Sequence, residues 1–318
     1  YLYGENDAVF THLEIGEEIA KGNEAVTGAE SLVMIQCVGS RNETHNYCSR
    51  VCCGHAVKNA LKLKEKNPDM RIYILFRDMR TYGFKEDAYR KASEQGVQFI
   101  RYTPEDPPEV EAISEGGKEM IRVTVTDPIL GQRLELDADI LSLAAAVRPP
   151  ESIHDIAAKF KVTLSPDEFF KEAHVKLKPV EFAADGVFLC GTAHYPKHIP
   201  ESINQAYGAA GRVITLLSRD TVVASGSVAK VNEQECVSCG ACITACTYGA
   251  IQFHDTPKGK KAIVNPVLCK GDGLCNAKCP TNAIVLKHFT NEALCGQIDA
   301  AVTADQIAAK MDALLEEA

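Results

Sequence analysis

No run of lysines and arginines marks this sequence, and no apolar stretch reaches the length of a membrane span. The first lack, with a net charge of −9, excludes the electrostatic footprint that nucleic acid or an anionic membrane surface requires. The second, with no secretory leader in view, predicts a cytoplasmic protein without a membrane span, at most peripheral to a membrane complex. A third lack is local. Behind the first apolar strand there is no glycine-rich loop of the kind that lets backbone amides approach a pyrophosphate, which disfavours an NAD(P)H reductase. The first residue is Tyr1 rather than methionine, so further sequence upstream is expected. Cysteine, by contrast, is abundant. Thirteen occur in 318 residues, gathered in motifs, which argues for a reducing and anaerobic cytoplasm rather than a disulfide framework. The length and apolar content allow two domains or so, each with a real core.

Seven of the cysteines fall between Cys236 and Cys279. Cys236, Cys239, Cys242 and Cys246 keep the C-x2-C-x2-C-x3-C spacing of a bacterial ferredoxin, and Cys269, Cys275 and Cys279-Pro280 form a second run. Two residues between thiolates make a turn tight enough for three ligands to reach three corners of one cube, while the fourth ligand crosses from the other run. One cube is therefore assigned to Cys236, Cys239, Cys242 and Cys279. The other takes Cys269, Cys275, Cys246 and whatever stands at the missing position, which is Asp272. A carboxylate is a harder and weaker partner for such a site than thiolate. Either Asp272 binds iron in a [4Fe-4S] cluster, or it fills a loop beside a labile corner that leaves a [3Fe-4S] cluster. A zinc ribbon or disulfide framework fits the spacing less well. The echo of Tyr-Gly-Ala-Ile251 in Thr-Asn-Ala-Ile284 marks an internal repeat, and Thr247 stands where proline usually follows the fourth cysteine of the first run.

Upstream, Ser31 to Gln36 reads as a buried parallel strand and Arg71 to Phe76 as a second, with a helix between them carrying Ala56, Val57, Ala60, Leu61 and Leu63. Cysteines occupy the intervening turn: Cys37-Val-Gly-Ser-Arg41, then Tyr47-Cys48-Ser-Arg-Val-Cys52-Cys53. Cys37, Cys48, Cys52 and Cys53 are read as ligands of a third cluster where a nucleotide would otherwise bind; buried or redox-active thiols are the alternative, and His45 is a competing ligand. A helix is expected over 87–95, a strand over 97–101, a hairpin from 121–126 and 133–136, and a strand over 139–146. A Ser/Gly-containing link, 224–228, precedes Asn232. The tail opens a helix at the capping pattern Thr303-Ala-Asp-Gln306 and puts Ile307, Met311 and Leu314 on one face that should dock on a neighbour.

The hairpin, the following strand, and the run Asp185-Gly-Val-Phe-Leu-Cys-Gly191-Thr192 before Ile199-Pro-Glu-Ser202 resemble the thioredoxin-reductase-like flavoproteins. In those a strand meets the flavin, and the next helix directs its positive N-terminus at the isoalloxazine. Gly191, Thr192, Ile199, Pro200 and Ser202 are the candidate contacts, with Thr192 replacing the usual acid; Ala206 to Gly211 would allow close approach. Together with the double-cysteine motif and the ferredoxin runs, these features resemble the C-terminal half of the HdrA family of heterodisulfide reductases over nearly the whole chain. The resemblance implies a cluster at the double-cysteine motif close to FAD, a lysine presented to the flavin (Lys58), and an acid near it (Glu14, in Thr11-His-Leu-Glu). The family's FAD pyrophosphate site lies upstream, so FAD would be shared with an upstream segment or partner. Cys190 is expected buried beside the flavin and Cys295 as an ordinary thiol.

The expected architecture is a partial α/β thioredoxin-reductase-like FAD domain with the inserted cysteine motif (1–225), an α+β two-cluster ferredoxin domain (226–290) and a helical tail (291–318). The resemblance implies an electron-transfer component of a larger complex. FAD takes or splits an electron pair, bifurcating it, and three clusters pass single electrons toward HdrB/HdrC-like subunits, hydrogenase- or dehydrogenase-linked input subunits, and ferredoxin. The rival reading is an electron wire without complete flavin.

Overall fold

The structure, a computed structural model, describes residues 1–221 and 226–316. Ala224 and Ser225 of the expected link and the side chain of Leu314 lie outside the described residues. The chain divides into two compact units, Tyr1–Ala157 with Thr163–Ala183 and Phe188–Arg212, and Ala158–Val162 with Ala184–Val187 and Val213–Ala318.

The first unit opens with β1 (Val9–Thr11), α1 (His12–Lys21) and α2 (Glu24–Thr27). It continues with β2 (Ser31–Val38), α3 (Cys52–Lys66), β3 (Arg71–Phe76), α4 (Lys85–Glu94) and β4 (Gln98–Arg101). After β5 (Glu109–Glu115), β6 (Lys118–Asp127) and β7 (Gln132–Ala138) come β8 (Ile140–Ala145), α5 (Ile153–Phe160) and α6 (Ile199–Leu217), the last residues of both helices being assigned to the second unit. Five strands form a parallel sheet in the order β1-β8-β2-β3-β4. Alternation along β2 decides its packing: Leu32 and Met34 face Ile15, Ala60, Leu63 and Ala92 on the helices, while Val33 and Ile35 face Ile121, Val123 and Val125 of β6. Both faces are covered, which is why β2 reads as an unbroken apolar run. The expected hairpin is β6–β7, and β5 joins it as a third antiparallel strand.

Two expectations fail in this unit. Residues 185–191 do not form a strand. Phe188 makes an isolated bridge with Glu181, and Gly191–Ala193 turn as a 3-10 helix; one bridge without a continuing ladder does not sustain a strand. Cys190 is exposed rather than buried, because that run has no sheet to lie in.

In the second unit β9 (Ala229–Val231), α7 (Ala241–Ala245), β10 (Ile251–Thr256) and β11 (Gly259–Val264) precede α8 (Leu274–Lys278), β12 (Ile284–Leu286) and α9 (Asn291–Glu316). β10 and β11 form one antiparallel pair and β9 and β12 another. Their apolar residues, Ala229, Ile251, Ala262 and Ile284, pack around Cys242 and Cys275. The tail helix does not begin at Thr303. It starts at Asn291, after Thr290, whose Oγ1 accepts from Ala293 N–H (3.2 Å), and Thr303 Oγ1 donates to Asp299 O (2.7 Å) within it. Glu292, Ala293, Leu294, Gln297, Ala300 and Ala301 are good helix formers ahead of Thr303, so the capping pattern is absorbed as an internal back-bond. Ile307 and Met311 are exposed.

Candidate metal centres and cofactor cleft

The second unit builds two equivalent half-sites. Asn232 N–H donates to Ala283 O (2.7 Å) and Asn265 N–H to Ala250 O (2.7 Å); Cys236 N–H then donates to Asn232 O and Cys269 N–H to Asn265 O, both at 3.1 Å. Each first cysteine is thereby placed at the start of a loop with left-handed residues, Ser238 and Gly240 in one, Gly271 and Gly273 in the other. A Cβ on Gly271 would stand 2.3 Å from Ser227 O, so only glycine fits there. Cys236, Cys239, Cys242 and Cys279 line one small cavity together with Phe253, Ala262 and Ile284. Four soft thiol donors in an apolar shell suit an iron–sulfur cube. In the other half-site burial pushes the Cys275 thiol up, with Asp272, Cys269 and Cys246 as the charges adding to it. Asp272 is exposed, and its Oδ1 accepts from Leu274 N–H (3.2 Å).

In the first unit the β2–β8 register shifts between Ile35 and Val38, and Cys37 takes a left-handed φ of 64° on that bulge. Cys52 and Cys53 are the first two residues of α3, and both are buried. A hydrogen bond to Cys53 raises the Cys52 thiol, reinforced by burial and by Cys53, Cys37 and Cys48. The same bond, with Arg80 and Arg41 nearby, lowers Cys53. Cys37, Cys52 and Cys53 are buried and Cys48 partly so, with Arg41 and Arg80 near Cys53; four soft thiol donors around this turn fit a third cluster. Among the described residues no three His, Cys, Asp or Glu side chains close on a single metal ion; the ligands of a cube stand farther apart, one at each corner. His45 lies apart, with its Nδ1 3.0 Å from Thr44 Oγ1 and its N–H on Asn42 Oδ1.

An open cleft of about 560 Å³ adjoins this loop. Val51 and Gly54, the neighbours of Cys52 and Cys53, form one wall with Lys58, and Lys197, His198, Ile199 and Pro200 form another. Of the candidate flavin residues read from the sequence, Lys58, Ile199 and Pro200 line it, whereas Lys197 and His198, which carry no spacing signature, were missed. Lys197 Nζ donates to Gly191 O (2.8 Å) and lies 3.3 Å from His194 Nδ1; His194 Nε2 is 3.0 Å from Glu172 Oε2. Gly191 N–H in turn donates to Gln205 Oε1 (3.0 Å). Burial, aided by Arg50, holds the Lys197 ammonium below its usual range. Ser202 Oγ donates to His198 O (3.2 Å), and Thr192 is exposed; neither they nor Gly191 line the cleft. Glu14 is not brought to it. Its carboxylate closes the capping box of α1 on Thr11 N–H (2.7 Å) and accepts from Tyr3 Oη (2.8 Å), beside a separate acidic depression. A cleft with apolar walls and a lysine-rich rim fits a planar aromatic group bearing negative charge.

Residues 235–283 match the model of the 4Fe-4S dicluster domain. The chain is 36% identical to the A subunit of the H(2)/formate:CoB-CoM heterodisulfide,ferredoxin reductase of Methanococcus maripaludis, over 96% of this chain and 47% of that protein. It is 38% identical to a protein of Archaeoglobus profundus described as like the A subunit of heterodisulfide reductase, over 89% of this chain and 40% of the relative. The chain therefore spans about half or less of the length of these relatives. Among solved structures, the thioredoxin reductase of T. acidophilum aligns with a TM-score of 0.43 at 12% identity, covering 66% of this chain and 58% of that one. With relatives of this kind matched over nearly the whole of its sequence, the chain belongs to the HdrA family, the A subunits of heterodisulfide reductases.

Proposed function

We propose that this chain is an oxidoreductase module which passes electrons between FAD and iron–sulfur clusters in a heterodisulfide-reductase-type complex. The observation that carries this reading is the cleft whose wall is built from the residues flanking Cys52-Cys53, with Lys58 opposite Ile199 and Pro200. FAD, when bound, supplies the exchange of two electrons on one side and single electrons on the other. Lys58 and Lys197 offer positive charge to the cleft, and the amides at the start of α6 add the helix's positive end. Cys37, Cys48, Cys52 and Cys53 would hold one cluster, Cys236, Cys239, Cys242 and Cys279 a second, and Cys246, Cys269, Cys275 and Asp272 a third. The adenosine end of FAD is supplied by an upstream segment or partner. Residues 1–225, 226–290 and 291–318 serve as flavin module, ferredoxin module and docking tail. The names of the relatives, which couple a heterodisulfide with ferredoxin, support pairing with subunits that reduce a heterodisulfide and with ferredoxin; bifurcation as the mode of transfer and a place in the cytoplasm of an anaerobe belong to the same proposal. No helix among the described residues is long and apolar enough to cross a membrane.

Iron, acid-labile sulfide and flavin per chain in the anaerobically purified complex test this. Three clusters give about eleven or twelve iron atoms, depending on the Asp272 corner, with flavin present. About eight iron atoms without flavin would leave only an electron wire.

A further inference from the structure

Arg50 belongs to none of the sites above, yet it touches two of them. It lies between Cys48 and Cys52 with a left-handed φ of 63°, a conformation that L-residues adopt only when their surroundings hold them there. That turn lets its own N–H donate back to Cys48 Sγ (3.2 Å). Its guanidinium spreads over three acceptors: Nη1 donates to Pro196 O (3.2 Å), and Nη2 to Tyr82 Oη (2.9 Å) and Glu201 Oε1 (2.6 Å). The second oxygen of Glu201 is also engaged, accepting from His198 N–H (2.8 Å) as the cap of α6. Tyr82 reaches the same residue, its ring 5.8 Å from that of His198. Both partners of Nη2, Tyr82 and Glu201, therefore touch His198, a residue of the cleft wall. Resting on the reading of Cys37 to Cys53 as a cluster site beside a flavin cleft, we infer that Arg50 is a positioning residue. It locks the cysteine loop to the first turn of α6 and so fixes the spacing between the cluster and whatever occupies the cleft.

The chemistry requires arginine in particular. A planar fork with five donors satisfies three acceptors from one stem, whereas a lysine ammonium is a point charge on a flexible chain. Glu201 serves both ends at once, so removing either partner releases both the loop and the helix start. Electron transfer rates depend on separation, and a bridge from the cysteine loop to the helix start holds that separation.

The test uses the complete protein in its complex, prepared anaerobically, as wild type, Arg50→Gln, Arg50→Lys, Glu201→Gln and the Arg50→Gln/Glu201→Gln double variant. Amide hydrogen exchange is read at 198–202 and at 48–53, alongside the EPR spectrum of the reduced cluster. Either single glutamine variant should speed exchange in both segments together by roughly two- to fivefold, and the double variant no further than either. Arg50→Lys should restore the exchange only in part, and Glu201→Gln should shift the EPR spectrum although it lies outside the cysteine loop. Should Arg50→Gln lose its iron, Glu201→Gln carries the test. Exchange that rises only in 48–53 for Arg50→Gln and only in 198–202 for Glu201→Gln, or effects that add, would overturn the bridge. A wild type with four fewer iron atoms than three clusters need would instead sink the cluster reading, while the exchange pattern would still decide the bridge.

Discussion

Asp272 stands in the second half of the ferredoxin unit at the place Cys239 holds in the first, 33 positions earlier. Each sits between two residues of positive φ, 60° and 76° around Cys239, 68° and 81° around Asp272. The backbone therefore presents Asp272 as it presents a ligand, and only the donor atom differs. Oxygen holds iron less firmly than thiolate. Asp272→Cys is expected to slow iron loss to a chelator and Asp272→Ala to speed it. Equal rates in all three proteins would show that the carboxylate holds no iron.

The double-cysteine motif makes a separate statement about stoichiometry. Cys52→Ser or Cys53→Ser should each lower iron by about four atoms per chain. Cys190→Ser and Cys295→Ser, at exposed thiols, should leave iron unchanged, and these variants serve as controls for oxidation during preparation.

Lys197 lines the cleft, and its ammonium is held by Gly191 O and His194. Removing a hydrogen bond to a charged group costs roughly a tenfold change in an equilibrium. Lys197→Met is therefore expected to weaken flavin retention by about tenfold with iron content unchanged. Lys58→Ala, at an exposed position on the opposite wall, should show a smaller loss. Flavin fluorescence released on gel filtration measures both.

His12 gives the fold a pH dependence. It is buried, with ring nitrogens 2.7 Å from Ser142 Oγ and 2.8 Å from Gln36 Nε2. Burial, and then the charge of His55, hold its pKa down to about 3, against a hydrogen bond from Gln36 that raises it. The folded value lies below the unfolded value of 6.5, so the unfolded chain takes up the extra proton. The stabilising contribution is complete above about pH 6.5 and falls as the pH drops toward 3. At about 1.4 kcal/mol per pH unit, about 2 kcal/mol is lost between pH 6.5 and 5. The urea stability of wild type relative to His12→Gln should narrow by that amount over the same interval. A constant difference would mean that the ring is protonated in the fold.

The parallel strands β2 and β3 were legible because both their faces are buried and their apolar runs are unbroken. β5 was not, since Glu109-Val-Glu-Ala-Ile-Ser-Glu115 is mostly exposed and its strand character comes from pairing with β6 rather than from its own residues. β1, three residues long, owes its place to the register with Leu141–Leu143. The cysteine runs were legible because ligand spacing is a local property. Arg50, Lys197 and His198 were not, because their roles depend on neighbours up to about 150 positions away, and no local pattern records such a meeting. The expected strand over 185–191 shows the converse: a β-prone run gains only the single bridge of Phe188 with Glu181 where no adjoining ladder receives it.

The bulge between Ile35 and Val38 bears on how one fold exchanges one cofactor for another. Strand residues obey parity, and a bulge spends one residue to break it. Here that residue is Cys37, turned out of the sheet at the point where a phosphate loop would begin. Replacing the four cysteines by glycine would remove the thiols and leave the bulge, so the chain would still enter the turn with the parity that the shift between Ile35 and Val38 sets.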